Sequence, residues 1–172
     1  MKLYQFLGAC AAINGLICSG LDTTRFLFVG FLPAKTNEKR KKLEELKNET
    51  STMIFYEAPH KIKDTLNNML NIIGDRKISI GRELTKIHEE FIRGKISSVI
   101  NEIEIKGEYV LILEGAEKSE DEIKMETINK MTVEAHYKYY EKMGLEKKEI
   151  IKKIAHDRNV PKDDIYKKFI DN

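Results

Sequence analysis

The chain has 172 residues, 41% of them hydrophobic and 34% charged, with a formal net charge of +2 at pH 7. That length suits one domain, or one domain with a small appendage, and allows a sizeable core; no window of about 18 uninterrupted apolar residues exists to cross a bilayer, which argues against a membrane protein. The two cysteines, Cys10 and Cys18, fall on one predicted helix and cannot staple a fold, so reduced thiols and a cytoplasmic location are expected.

Met1 to Ser19 is the most apolar part of the chain, yet only Lys2 precedes the apolar residues and Asn14 interrupts them, which is not the pattern of a secretory signal. Gly8 to Cys18 reads instead as a short helix of small residues, Ala9, Ala11, Ala12 and Gly15, which permit close approach to a neighbour. After the turn "SGLDTT", Arg25 to Leu32 is a strand of the near-continuous apolar kind expected when both faces are covered. Thr36 or Asn37 can cap a charged helix running to about Lys47, with Leu43 and Leu46 buried. Its Lys35, Arg40, Lys41 and Lys42 form a candidate phosphate-facing surface, although a solvated helix face explains the same charges.

The stretch from Ser51 to Gly94 organises the remainder. An apolar run from Met53 to Tyr56 ends on Glu57, and Pro59 starts a helix in which Ile62, Leu66, Met69, Leu70 and Ile73 share one face. Gly74 stops that helix, and Lys77 to Ile80 alternates as a strand before the polar cluster "GRELTKIHEE". Glu89 to Arg93 reads as a short strand, Ile96 to Ile103 as a helix, and Tyr109 to Leu113 as a buried central strand. The expected fold is α/β: a mixed sheet of about five strands flanked by helices, closing near Gly115.

Residues 116–131 are polar and acidic, as a linker would be. Residues 132–172 then read as a small helical domain of three short helices, Val133 to Met143, Lys147 to Asp157 and Lys162 to Ile170. Their shared core is Leu145, Ile150, Ile151, Ile154, Val160, Ile165, Phe169 and Ile170. The spacing is that of a helix-turn-helix unit, and a compact bundle with no nucleic-acid role fits it equally.

Two polar clusters, Glu57 with His60 and Arg82 to Glu90, are thereby expected at the ends of neighbouring strands, where α/β sheets bind ligands. Within them His60 and His88 can accept a proton near neutral pH, Arg82 and Lys86 can hold a phosphate, and Glu57, Glu83, Glu89 and Glu90 can orient either. An ion-paired lock between two strands uses Arg82, Glu83 and Glu89 just as well. The chain has no GxGxxG, no GxxxxGK[ST], no GxSxG and no Cys or His pair at zinc spacing, so neither a nucleotide loop nor a metal is expected.

The segments "RFLFVGFLPAK", "IFYEAPHKI", "GRELTKIHEEFIRG" and "GEYVLILEG", in this order, closely resemble the C-terminal part of the ribosomal RNA small subunit methyltransferase I family, within the tetrapyrrole methylase superfamily. The resemblance runs from Gly8 to Gly115, and the terminal helices are similar to the small domain that ends many members. It implies a methyltransferase using S-adenosylmethionine on a cytidine ribose 2′-hydroxyl of small-subunit ribosomal RNA, commonly as a homodimer. Family members carry a further domain ahead of this region, so the stretch is expected to be inactive alone, with an incomplete cofactor site. The family's "PGPSA" segment corresponds to Leu7, Gly8, Ala9, Cys10 and Ala11, with both prolines and the serine replaced. Gly8, Ala9, Cys10, Ala11 and Tyr56 are then the cofactor-binding positions. Glu57, His60, Arg82, Glu83, Lys86, His88 and Glu89 form the wall of the catalytic site, and Lys35, Arg40, Lys41 and Lys42 the RNA contact. Two other functions stay open: a non-catalytic RNA-binding or dimerisation module, and a small-molecule methylase of the same superfamily.

Overall fold

The computed structural model describes residues 10–169, so Gly8, Ala9 and Ile170 lie outside the described residues. The chain divides into two compact units, one ending at Lys118 and the other beginning at Ser119.

The first unit holds α1 (Ala11–Cys18), β1 (Phe26–Phe31), α2 (Thr36–Leu46), β2 (Thr52–Glu57), α3 (Ile62–Ile72), β3 (Lys77–Arg82), β4 (Glu90–Lys95), α4 (Ile96–Val99) and β5 (Tyr109–Leu113). The five strands make one mixed sheet in the order β1-β2-β5-β3-β4, in which only the β1–β2 pair is parallel. The fully apolar β5 therefore sits in the middle, buried at every residue.

Alternation along the strands sorts the core into two layers. Met53, Phe55, Ile78, Ile80, Leu111 and Leu113 face α2, α3 and α4, whose Leu43, Leu66, Met69 and Ile96 are fully buried against them. Ile54, Val110 and Ile112 face the other way, onto Ala12 and Leu16 of α1. Gly15 allows that approach, since a Cβ there would stand 3.2 Å from Val110 Cγ1 and 3.3 Å from Ile112 Cδ1.

β1 departs from the expectation of a strand covered on both faces. It is an edge strand, and Phe26, Leu27, Phe28 and Phe31 are all exposed. An apolar run shows that a strand wants covering, and the described residues supply cover on one edge only. Gly30, at φ 73°, takes up a bulge between Phe28 and Phe31. The helix expected to reach Ile103 stops at Val99.

The second unit comprises α5 (Glu120–Lys130), α6 (Val133–Glu141), α7 (Lys147–Asp157) and α8 (Lys162–Lys168). The stretch expected to be a linker thus contains a helix, started by a capping box between Ser119 and Glu122. Val133, Tyr140, Ile150, Ile151, Ile154 and Ile165 form the core, with Leu145 and Phe169 packed against it, while Val160 is exposed.

That core contains one buried polar cluster. His136 is fully buried; its Nδ1 accepts from Arg158 Nε at 3.3 Å, and its Nε2 lies 3.3 Å from Asp157 Oδ2, which accepts from the Tyr140 hydroxyl at 2.5 Å. Burial first, and then the Arg158 charge, push the imidazole below its ordinary value, outweighing Asp157. The unfolded chain protonates His136 at its ordinary value of about 6.5. The folded state resists that proton, so stability is complete above that pH and is lost as the pH falls toward the lower folded value. Thermal melts of the chain between pH 8 and 5 should show the helical unit weakening below about pH 6.5, and His136→Gln should flatten that dependence.

Candidate active site

The strand ends place one row of polar residues along a single rim of the sheet. In register, Glu57 of β2 pairs with Tyr109 of β5, Tyr109 with Arg82 of β3, and Arg82 with Glu90 of β4. Among the described residues, two hollows open at this rim, flanking the segment that leads into β5. The first, about 480 Å³, is lined by Ala11, Phe31, Tyr56, Glu57, Pro59 and Val110, together with Ala58, Glu108 and Tyr109. The second, about 330 Å³, is lined by Arg82, Glu83, His88, Lys106 and Gly107.

In the first hollow Tyr56 carries the aromatic wall, with its ring 5.3 Å from Phe28 and 5.6 Å from Phe31. Glu57 is 6% exposed and already engaged: Oε1 accepts from the Ala58 N–H at 2.8 Å and Oε2 from the Thr65 hydroxyl at 2.6 Å. Thr65 in turn accepts from Lys39 Nζ at 3.2 Å, and the same ammonium pairs with Asp64 at 2.8 Å. This chain from α2 through α3 to β2 fixes the Glu57 carboxylate, which makes it a positioned charge more than a free proton acceptor. Of the other cofactor positions, Ala11 lines the hollow and Cys10 is exposed at the start of α1.

The loop from Glu83 to Glu89 borders the second hollow and is held by its own charges. Arg82 pairs with Glu90 at 2.7 Å and with Glu104 at 2.6 Å, and the Glu104 hydrogen bond leads in holding its guanidinium above the ordinary range. Lys86 reaches Glu108 at 3.1 Å and Glu83 at 3.2 Å, and these contacts raise it, Glu108 foremost. Glu83, at φ 50°, accepts the Glu108 N–H at 2.9 Å, the leading reason its carboxyl lies below the usual range. Glu89 accepts the Thr85 N–H at 2.7 Å. His88 and Lys106 are exposed and, among the described residues, carry no ion pair.

The two sequence clusters therefore share a rim but line two hollows, and His60 lines neither. It sits exposed in the turn between β2 and α3, so the expected meeting of His60 with Arg82 does not occur. On α2, Lys35 pairs with Glu38 at 3.1 Å and Lys42 with Glu45 at 3.3 Å, which leaves Arg40 and Lys41 as its exposed cations without an ion pair among the described residues. Sequence does not mark Thr65, Phe31, Lys106, Glu108 and Tyr109 as site residues, and it offers Lys39 only as one more charge of the basic, phosphate-facing stretch. Lys39 carried a signal, since it precedes Leu43 by one helical turn and so falls on the buried stripe. Among the described residues no group of three or more His, Cys, Asp or Glu could hold a metal, and no helix is long and apolar enough to cross a membrane.

Residues 6–100 match the family described as Tetrapyrrole (Corrin/Porphyrin) Methylases. The chain is 48% identical over 162 residues to ribosomal RNA small subunit methyltransferase I of Bacillus subtilis, covering 92% of this chain and 56% of that protein. It is also 48% identical over 164 residues to the protein of that name from Halalkalibacterium halodurans, again 92% of this chain and 56% of the relative. The Thermotoga maritima protein of the same name is 42% identical over 113 residues, 64% of this chain and 50% of the relative. The chain thus spans about half the length of the curated relatives it matches. Among solved structures, the methyltransferase CobJ superposes with a TM-score of 0.50 at 15% identity, covering 63% of this chain and 49% of that one, which speaks to the fold. With more than half of its residues inside the matched region, this chain is a member of the tetrapyrrole methylase family.

Proposed function

We propose that the chain carries part of the active site of a methyltransferase that uses S-adenosylmethionine to methylate small-subunit ribosomal RNA on a cytidine ribose 2′-oxygen. One observation carries the reading: the two hollows at the rim differ in charge. Among the described residues, the charged side chains lining the first are carboxylates, Glu57 and Glu108, set among apolar and aromatic walls. Lining the second are Arg82, Lys106 and His88, with Glu83 as its one carboxylate.

The first hollow fits the cofactor. A flat apolar wall of Phe31, Tyr56 and Val110 suits an adenosine, and a cation is favoured near a fixed carboxylate and an aromatic face. Bound there, S-adenosylmethionine supplies an activated methyl group on a cationic sulfur. Glu57, held by Thr65 and Ala58, orients that charge, and Tyr56 excludes water from it. The second hollow suits the RNA backbone, with Lys106 offering the phosphate a cation that no carboxylate neutralises. His88 is the side chain there placed to act as the base toward a ribose hydroxyl. Arg40 and Lys41 extend the contact along α2.

The test is methyl transfer from radiolabelled S-adenosylmethionine to small-subunit RNA, followed by digestion to nucleosides. With the chain joined to the part of its Bacillus subtilis relative that it does not cover, label in 2′-O-methylcytidine is expected; label on a base, or no transfer while the cofactor binds, overturns the reading. Tyr56→Ala should weaken cofactor binding by about tenfold, the loss of roughly 1.4 kcal/mol of ring contact. His88→Gln should lower transfer and leave cofactor affinity unchanged. The ion pairs that neutralise Arg82 and Lys86 favour a second reading, an RNA-binding module in which this loop is a structural lock. Cofactor binding separates the two, because a module without chemistry has no use for the first hollow. The homodimer belongs to the same proposal, supported by the apolar side chains that β1 leaves exposed, and sedimentation equilibrium reads it.

A further inference from the structure

We infer that helices α7 and α8 form a second RNA-docking face, one that grips the phosphate backbone of folded ribosomal RNA and sets affinity without touching the chemistry. The inference rests on the reading of the chain as acting on ribosomal RNA.

The first support is how the lysines are left. On α7, Lys147, Lys148, Lys152 and Lys153 are exposed, and on α8 so are Lys162, Lys167 and Lys168. None of them makes an ion pair among the described residues, whereas the lysines of α2 pair at Lys35, Lys39 and Lys42. The helices do hold carboxylates, most of them otherwise engaged, although Glu149 also lines the hollow that holds Lys152 and Lys153. Glu149 closes the capping box of α7, Asp157 is 9% exposed and receives the Tyr140 hydroxyl, and Asp163 and Asp164 occupy the first turn of α8, where the helix dipole favours them. Lys168 lies near Glu134 and Lys153 over the Tyr140 ring, and the other five lysines carry their charge with no ion pair among the described residues, a charge that a polyanion answers.

The second support is shape and stiffness. A hollow of about 430 Å³, lined by Leu145, Glu149, Lys152, Lys153 and His156, runs along α7. Arg158 at the end of that helix donates to the Met131 carbonyl and to His136, which ties α7 to the start of α6. Asn159, at φ 50°, then turns the chain into α8. The lysines thus stand on a braced frame, so less order has to be imposed when a ligand binds.

The third support selects the partner. A membrane surface asks for a broad apolar face beside the lysines, yet Ile150, Ile151, Ile154 and Ile165 are turned into the core, and Val160 with part of Leu145 is too little for one. Stacking on unpaired bases asks for exposed aromatics, and Tyr166, 40% exposed, is the one large aromatic ring these helices present. What remains is backbone contact with structured RNA, which is recognised through phosphates and 2′-hydroxyls.

The experiment is fluorescence anisotropy of the 172-residue chain with a labelled stem of small-subunit RNA, over a series of salt concentrations. The variant is Lys148→Gln with Lys152→Gln and Lys167→Gln, which leaves Lys153 on the Tyr140 ring, 5.2 Å from its centre. Affinity is expected to drop by about tenfold or more, and the slope of log affinity against log salt to flatten by about 3, close to one per lysine removed. The matching Lys→Arg triple variant should keep both. Unchanged circular dichroism and cofactor binding show that the fold is intact. If the unaltered chain binds the stem and the Gln variant binds equally well with the same slope, this face is not the docking surface, and RNA binding through the sheet rim stands. If the unaltered chain fails to bind any small-subunit RNA while still binding the cofactor, the proposed substrate falls and this inference falls with it.

Discussion

Gly115→Ala is expected to destabilise the first unit by about 3 kcal/mol, at the upper end of what overpacking does, and to lower its melting temperature by about 10 °C. A Cβ at this position would stand 2.0 Å from the Thr50 carbonyl oxygen and 2.4 Å from its carbon. Both are backbone atoms, so no side-chain rotation relieves the clash. Gly115 does not adopt the left-handed backbone, which means the penalty comes from contact and not from conformation. The neighbouring Ala116 N–H bonds to the Glu49 carbonyl at 2.6 Å, and separating the two segments would strain that bond and draw the chain away from the start of β2. Differential scanning calorimetry measures the shift; a melting temperature within a degree or two of the parent would show that the segments part without penalty.

The second large effect is expected at Thr65. Thr65→Val keeps the shape of the side chain but removes the donor to Glu57 and the acceptor for Lys39. The buried Glu57 carboxylate is left with the Ala58 N–H as its hydrogen-bond donor among the described residues. A hydrogen bond to a charged group is worth about 1.5–3 kcal/mol, so a loss near 2 kcal/mol in urea unfolding is expected. Affinity for S-adenosylmethionine should fall too, because the carboxylate that faces the first hollow is no longer held. Thr65→Ser should restore both. Normal cofactor affinity in the Val variant would mean that Glu57 does not act on the ligand.

Much of the architecture could be read from the order of residues. The apolar runs of β2 and β5, the one-sided pattern of α3 and the small residues of α1 each predict their own burial, because local periodicity reports local environment. Strand order is a different matter, since the placement of β5 between β2 and β3 depends on pairings between residues far apart in sequence. The same holds for charge. From sequence Arg82 reads either as a phosphate-holding cation or as one member of an ion-paired lock with Glu83 and Glu89, and the partners Glu104 of Arg82 and Glu108 of Lys86 escape that reading because they lie in the connection that precedes β5, about twenty residues further on. His60 stands close to Glu57 in sequence, but the turn at Pro59 carries it into solvent. The acidic composition of α5 masked a helix that the S-x-x-E spacing of Ser119 and Glu122 does announce.

The central position of β5 also bears on how the protein comes into being. Synthesis proceeds from the amino terminus at about 5–20 residues per second, so the strand pairs β1–β2 and β3–β4 leave the ribosome before the strand that joins them. Until Leu113 has emerged, β2 and β3 both lack the neighbour that covers their inner edges in the folded sheet, and the tunnel still shields the strand that would join them. Slow translation through residues 96–108 would prolong that interval, and a chaperone acting on this protein would find its binding sites on β2 and β3.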